Sequence, residues 1–301
     1  MRRLTLVAPP DSFSGIEAMR TARGWPSRAP VLLSIAAMAL SLIGSAAGFF
    51  IPGVYRDAPV WAAAARGSDL VNLVMALPTL AASMILARRG SIRGQLVWLG
   101  ALGYLLYAYA IYAFDVAFNE LFLVYVAALG LVFWALVTLL PQVHPSVVYG
   151  RRREGMPRRL VAGYLVVVAS ATFALWVRQD IQALVSGVTP AGVRAAGIPT
   201  DPVHVLDLAF FLPILWIAGV RLWQGKPTGY LLAGALLPMV VFVGTSAAAA
   251  VVIEGASSSG AAGPAVGLAL VAGAGLVLGV AFLGHLHEGR LVAVRPGPPG
   301  S

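Results

Sequence analysis

Two short stretches carry most of the side chains able to do chemistry. Asp69 and Asn72 stand three residues apart, and so do His204 and Asp207. At helical pitch each pair falls on one face, a turn apart. A third stretch holds Tyr104 and Tyr107, followed by Asp115 about three turns above Tyr104. Carboxylate, amide, imidazole and phenol together suit a proton, a cation or a polar ligand. Asp69, Asn72, Tyr104, Tyr107, Asp115, His204 and Asp207 are therefore the candidate ligand- or proton-binding residues. Asp207 is the strongest of them, because it lies deepest and has His204 beside it. A second reading stands next to this one. Asp69 and His204 sit at expected helix starts, where Asp caps free N–H groups. Tyr at a helix end fits an interfacial aromatic belt, and a buried Asp can serve only to bind a neighbouring helix.

His204 with Asp207 and Asp69 is a weak candidate metal set. One imidazole with several oxygens suits zinc, manganese or iron, yet no ordered ligand spacing supports it. His285 and His287 do not face His204 at helical spacing, which argues against a haem held by two histidines. No cysteine is present, so disulfides, thiolate zinc and iron–sulfur clusters are excluded. Nothing resembles a phosphate loop or a membrane serine-protease site. No cofactor is expected, and enzymatic activity lacks a positive signal.

The elements that position these residues follow from composition. The 301 residues are 59% hydrophobic and 11% charged, with mean hydropathy +0.85. A soluble domain carries about 25% charged residues, and a water-soluble fold of this length cannot hide so much apolar surface. Apolar runs long enough to span a bilayer lie near 31–52, 70–87, 95–114, 121–140, 160–177, 205–222, 229–252 and 264–284. The fold class expected is all-α, a polytopic transmembrane bundle of about eight helices. Residues 1–30 form an N-terminal tail, 31–285 the transmembrane domain and 286–301 a C-terminal tail.

Charge placement sets the topology. The chain carries 21 Lys and Arg against 12 acids, for a net charge of +9. With both ends in the cytoplasm, all of the basic residues except Arg56, Arg66, Arg178 and Arg194 fall on the inner side, as positive-inside bias requires. The basic excess thus belongs to topology, not to nucleic acid. Most of the acids fall on the outer side. The first apolar run is read as a retained helix, although Ser45 and Ala47 have the small side chains of a signal-peptide site. Residues 11–23 suit an interfacial amphipathic helix or a disordered tail. A short helix is expected near Ile181–Val185, and residues 255–263 read as a flexible connector.

The chain also resembles itself. Shifted by 135 positions, Asp69–Pro78 falls on His204–Pro213, and Gly90 and Gly94 fall on Gly225 and Gly229. Seven of the 30 positions from 72 to 101 are identical. A tandem repeat over 31–141 and 160–285 is the reading taken. Four helices per half would run both halves the same way, related by an axis along the membrane normal. Gly263, Gly267, Gly275 and Gly279 in the last run allow close helix approach, within the chain or in a homo-oligomer.

The stretches YRDAPVWAAAARGSDLVNLVMALP (55–78), LGYLLYAYAIYAFDVAFNELFLVYVA (102–127) and VLDLAFFLP (205–213) resemble a set of uncharacterised, actinobacterial-type multi-pass membrane proteins. The resemblance implies a helical fold in the bacterial cytoplasmic membrane. It brings no activity or ligand. The function expected is a binding or transport-type module for a small polar solute or cation, in an outward-facing polar cavity. The alternatives are a structural or accessory subunit without a ligand and, third, a membrane-embedded metal-dependent enzyme. Partners expected are the lipid bilayer and that solute or cation.

Overall fold

The computed structural model describes residues 26–255 and 262–288, and these are all-helical with no β-strand among them. Eight helices are long and apolar enough to cross a membrane: α1 (Arg28–Phe50), α2 (Pro59–Arg88), α3 (Ile92–Phe114), α4 (Phe122–Gln142), α6 (Arg158–Ser186), α8 (Pro202–Trp223), α9 (Pro227–Gly255) and α10 (Ala262–Gly284). Short helices α5 (Pro145–Gly150) and α7 (Ala191–Ala196) lie in the connections. The protein is a multi-pass membrane protein. Leu, Val, Ile and Phe side chains such as Leu32, Leu123, Phe210 and Leu270 stand exposed on the helix exteriors, a surface that suits lipid and not water.

Each half closes on itself. In the first, α1 packs on α2 and α4, and α3 packs on the same two. In the second, α6 packs on α8 and α10, and α9 packs on the same two. The halves meet where α9 lies against α2 and α3. Small residues allow that approach: a side chain on Gly100 would strike the Ala235 carbonyl, and one on Gly67 would come within 2.5 Å of the Ala250 nitrogen. Helix α3 is the most enclosed, with 61% of its apolar stretch buried against 22% for α6 and α10. It reaches the second half through α9.

Two proline-driven distortions sit at corresponding positions. Pro78 and Pro213 have no N–H, so the carbonyls four residues earlier lose their helical donors. Both helices widen to a π-turn just before the proline, over Asn72–Ala76 and Asp207–Phe211. In each, the first residue's carbonyl accepts from the N–H five positions on, Leu77 and Leu212. A π-turn adds a residue to one turn and re-aims the side chains that follow, an arrangement common at functional sites. The two helices also end alike. Gly90 and Gly225 adopt φ of +84° and +72°, the left-handed conformation that closes a helix C-terminus. These features are separated by 135 residues.

Several expectations are corrected. Helix α2 begins at Pro59, eleven residues before the apolar run, so Asp69 lies inside a helix and caps nothing. The cap of α8 is Asp201, whose Oδ1 accepts from Val203 and His204 N–H, with His204 in the first turn. The segment Ile181–Val185 is no separate helix but the end of α6. Ser27 and Gln142 exchange hydrogen bonds that tie the start of α1 to the end of α4. Residues 11–23 and 256–261 lie outside the described residues.

The connections sort onto two faces. On one, Arg93 reaches the Leu286 carbonyl, Arg153 N–H donates to the His285 carbonyl at 2.8 Å, and Arg88, Arg89, Arg158, Arg159 and Lys226 gather nearby in the same turns. Glu288 accepts from Ser91 Oγ at 2.7 Å and from the Ile92 and Arg93 N–H groups, capping α3. On the other face, Arg56 pairs with Glu120, Asp57 accepts from Ala117 N–H at 2.8 Å, and Asp180 meets His204. The first is the basic face and the second the acidic face.

Candidate functional site

The candidate residues assemble around two carboxylates, each with its own partners. Asp69, 1% exposed, lies in the first half. Its Oδ2 accepts from the Tyr55 hydroxyl at 2.5 Å, and its Oδ1 lies 2.9 Å from the Tyr112 hydroxyl. Tyr55 comes from the α1–α2 connection and Tyr112 from α3; their rings stack with centroids 6.4 Å apart. Gly48 of α1 makes room for the pair, since a side chain there would overlap both the Asp69 carboxylate and the Tyr55 hydroxyl. Burial, reinforced by the charge of Asp69, pushes the Tyr55 phenol well above its usual pKa, so it remains a neutral donor.

One turn on, Asn72 Nδ2 donates to Ser45 Oγ at 2.9 Å, while its Oδ1 has no protein partner. Ser41, Tyr104, Tyr109 and Tyr125 add further buried hydroxyls, with Tyr109 beside Ser41 and Ser45, Tyr104 beside Ser246 and Tyr125 beside Tyr55 and Asn119. Tyr104 packs against Phe242 of α9, with ring centroids 5.4 Å apart. Nearby, Ser68 and Ser246 share a hydrogen bond of 2.7 Å between α2 and α9. Buried polar atoms normally find partners. Here the hydroxyls stand as one another's neighbours.

Asp207, 5% exposed, sits in the second half at the start of the α8 π-turn. Its Oδ1 accepts from the Tyr107 hydroxyl of α3 at 3.0 Å and its Oδ2 from Trp176 Nε1 of α6 at 2.8 Å. One turn towards the acidic face, His204 Nδ1 lies 2.9 Å from Asp180 Oδ1, and His204 Nε2 lies 3.7 Å from Asp201 Oδ2. The Trp176 ring lies against the imidazole, tilted by 31°, with centroids 4.3 Å apart. Trp176 and Asp180, four residues apart on α6, thus grip Asp207 and His204 on α8 as two rungs of a ladder.

That ladder borders a groove of about 580 Å³ on the acidic face. Asp180, Asp201 and His204 supply its polar edge, and Leu184, Val193 and Leu208 much of its apolar wall. Asp115, at the end of α3, faces Asp201 and, from the α1–α2 connection, Asp57. Partial burial, then the charges of Asp57 and Asp201, push its carboxyl up to about 6.

Helix α3 links the two centres, through Tyr112 to Asp69 and Tyr107 to Asp207. The structure joins Asp69 with Tyr112, Asn72 with Ser45, Tyr107 with Asp207, and His204 with Asp180 and Asp201. Tyr55, Tyr112, Ser45, Trp176, Asp180 and Asp201 were not among the candidate site residues read from the sequence. The four-residue spacing of Trp176 and Asp180, and of Ser41 and Ser45, was the available signal. Among the described residues no group of three or more His, Cys, Asp or Glu is arranged to hold a metal. In α10, Gly275 packs on Tyr164 and Gly279 faces Leu237, while Gly267 meets open space.

No family model, curated protein or solved structure matches this chain.

Proposed function

We propose that the protein is a binding or transport-type module for a small cation, with its site in the acidic-face groove between α6, α7 and α8. The observation that carries this reading is the concentration of acid there. Asp180, Asp201 and, behind them, Asp207 surround one imidazole, with Asp115 close by. Negative charge held at partial burial is costly, and a bound cation would offset it. The apolar walls suit a cation carrying hydrocarbon, such as an alkylammonium ion.

In this reading the basic face is cytoplasmic, as positive-inside bias requires. The groove then opens outward from a bacterial cytoplasmic membrane, with both chain ends inside. The halves 31–141 and 160–285 are taken as tandem repeats of four helices. Matching π-turns, matching glycine ends and the matched ring of neighbours in each half support this. So does the helix before each pair: Ser41 and Ser45 fall 135 residues before Trp176 and Asp180. Self-association is proposed only through the Gly267 end of α10.

A second reading has its own support. Both oxygens of Asp207 and of Asp69 already have protein partners, as polar groups that only join helices would. Equilibrium titration of the purified full chain with tetramethylammonium separates the two. Saturable binding that weakens with added salt fits the cation site. No heat or stabilisation up to high concentration favours the accessory subunit.

A further inference from the structure

The segment that follows α10 crosses the basic face. Residues 284–288 leave the second half and run to the connections of the first. His287 N–H donates to the Arg151 carbonyl at 2.6 Å, and Arg153 N–H donates to the His285 carbonyl at 2.8 Å. Between these bonds Arg152 and Leu286 stand opposite one another in an antiparallel bridge, and Leu286 is buried, which anchors the segment. Farther on, Glu288 accepts from Ser91 Oγ and from the Ile92 and Arg93 N–H groups, while the Arg93 guanidinium donates to the Gly284 and Leu286 carbonyls. One short segment thus ties the α2–α3 turn, the α5–α6 connection and the end of α10.

The bridge has a symmetry of its own. Carrying residues 151–153 onto 285–287 exchanges the two ladder bonds, an offset of 134 against the 135 of the helices. The ladder therefore lies where an axis relating two parallel repeats would run. The acidic face is built otherwise. There Arg56 with Glu120 and Asp57 with Ala117 join connections within the first half, and Asp180 and Asp201 meet His204 within the second. The strap is also made to come apart. Its contacts from Ser91 Oγ and Arg93 N–H to Glu288 are exposed, and groups freed at a wet surface bond to water instead, so breaking them costs little.

We infer that residues 284–288 are the gate of the basic face, a strap that holds the two halves together there while the groove stands open on the acidic face. The inference rests on the transport reading of that groove. For a cation to leave on the basic face, the ladder must part and Glu288 must release the start of α3. The strap is then a two-state element that the groove biases from the opposite face. A cation that binds the groove-open state favours the closed strap, and a locked strap favours the groove-open state, because the coupling is reciprocal.

The chain has no cysteine, so Arg152→Cys combined with Leu286→Cys places its only two thiols. They face each other at a non-hydrogen-bonded antiparallel position, where Cα atoms lie about 4.5 Å apart, within reach of a disulfide. Oxidation of the full chain should leave tetramethylammonium binding undiminished and cut its uptake into proteoliposomes by about tenfold or more, and a reductant should restore uptake. Should the double variant fail to fold, the wild type serves. Hydrogen exchange at the Arg153 and His287 amides should slow by about fivefold or more when tetramethylammonium saturates the groove, whereas a merely structural tie exchanges at one rate with and without the cation. Uptake that the disulfide does not change, or amide exchange that bound cation fails to slow, overturns the gate and leaves the groove standing. A wild type that binds no tetramethylammonium, or binds it and admits none, overturns the transport reading itself and the gate with it.

Discussion

Asp69 and Asp207 occupy near-equivalent turns of α2 and α8, yet their surroundings differ in kind. Asp69 is held by two phenols in an interior of serine and tyrosine hydroxyls. Asp207 is held by one phenol and an indole, and stands behind an imidazole and two more acids at a groove. The helix alongside decides this. Where α1 has Ser41, Ser45 and Gly48, α6 has Trp176, Asp180 and Ala183. Small neutral groups let the first site close over its acid. Larger and charged ones prop the second open towards the acidic face. One backbone geometry thus serves a sealed centre and an accessible one, and the chemistry of each resides in the neighbouring helix.

The comparison fails outright unless both centres face the same side of the membrane. Reporter fusions after Arg93, Arg159, Lys226 and Arg295 should all read cytoplasmic, an all-or-none result. A single external reading would refute the eight-helix topology on which that shared side rests. The next effect in size is steric. Gly48→Ala forces a methyl group onto the Asp69 carboxylate and the Tyr55 hydroxyl, and should cost about 3 kcal/mol as overpacking does. Ala183→Gly, at the matching place in the open half, should cost only about 0.5–1 kcal/mol for helix flexibility. Thermal or denaturant unfolding in detergent measures both, and equal losses would remove the distinction between sealed and open sites.

Much of the fold was legible in the sequence, and the reasons are physical. Eight apolar runs survive as eight helices because bilayer thickness fixes their length and loop charges punctuate them. The true start of α2 was hidden. Residues 59–69 are alanine-rich and helical, but Arg66, Gly67, Ser68 and Asp69 lower their apolar character, so the run seemed to begin at 70. Asp69 consequently resembled a cap, and the role of cap in the partner helix belongs to Asp201. The prolines at 78 and 213 announced a local break, though not that it would take the form of a π-turn. Tyr55 had no local signal, because it lies in a connection with no helical period and reaches a carboxylate 14 residues on.

A smaller effect concerns pH. Asp115 has its carboxyl raised to about 6 from an ordinary 3.8, by partial burial and then by Asp57 and Asp201. A raised folded-state pKa means that the native chain holds this proton more tightly than the unfolded chain does. The resulting stabilisation is full below about 3.8 and is lost as pH rises through about 6. Asp115→Asn should therefore flatten stability between those pH values and leave the protein slightly more stable at neutral pH. Because Asp115 is only partly buried, the change should be modest. Unfolding curves across pH check it.

The most direct test of a cation site in the open half is parallel titration of Asp201→Asn and Asp69→Asn with tetramethylammonium, beside the wild type. Asp201→Asn, which keeps a capping oxygen and removes the charge, should weaken binding tenfold or more, about 1.4 kcal/mol. Asp69→Asn should bind as the wild type does. Undiminished binding by Asp201→Asn, or its loss in Asp69→Asn while the protein stays folded, would contradict the assignment of the cation to the groove.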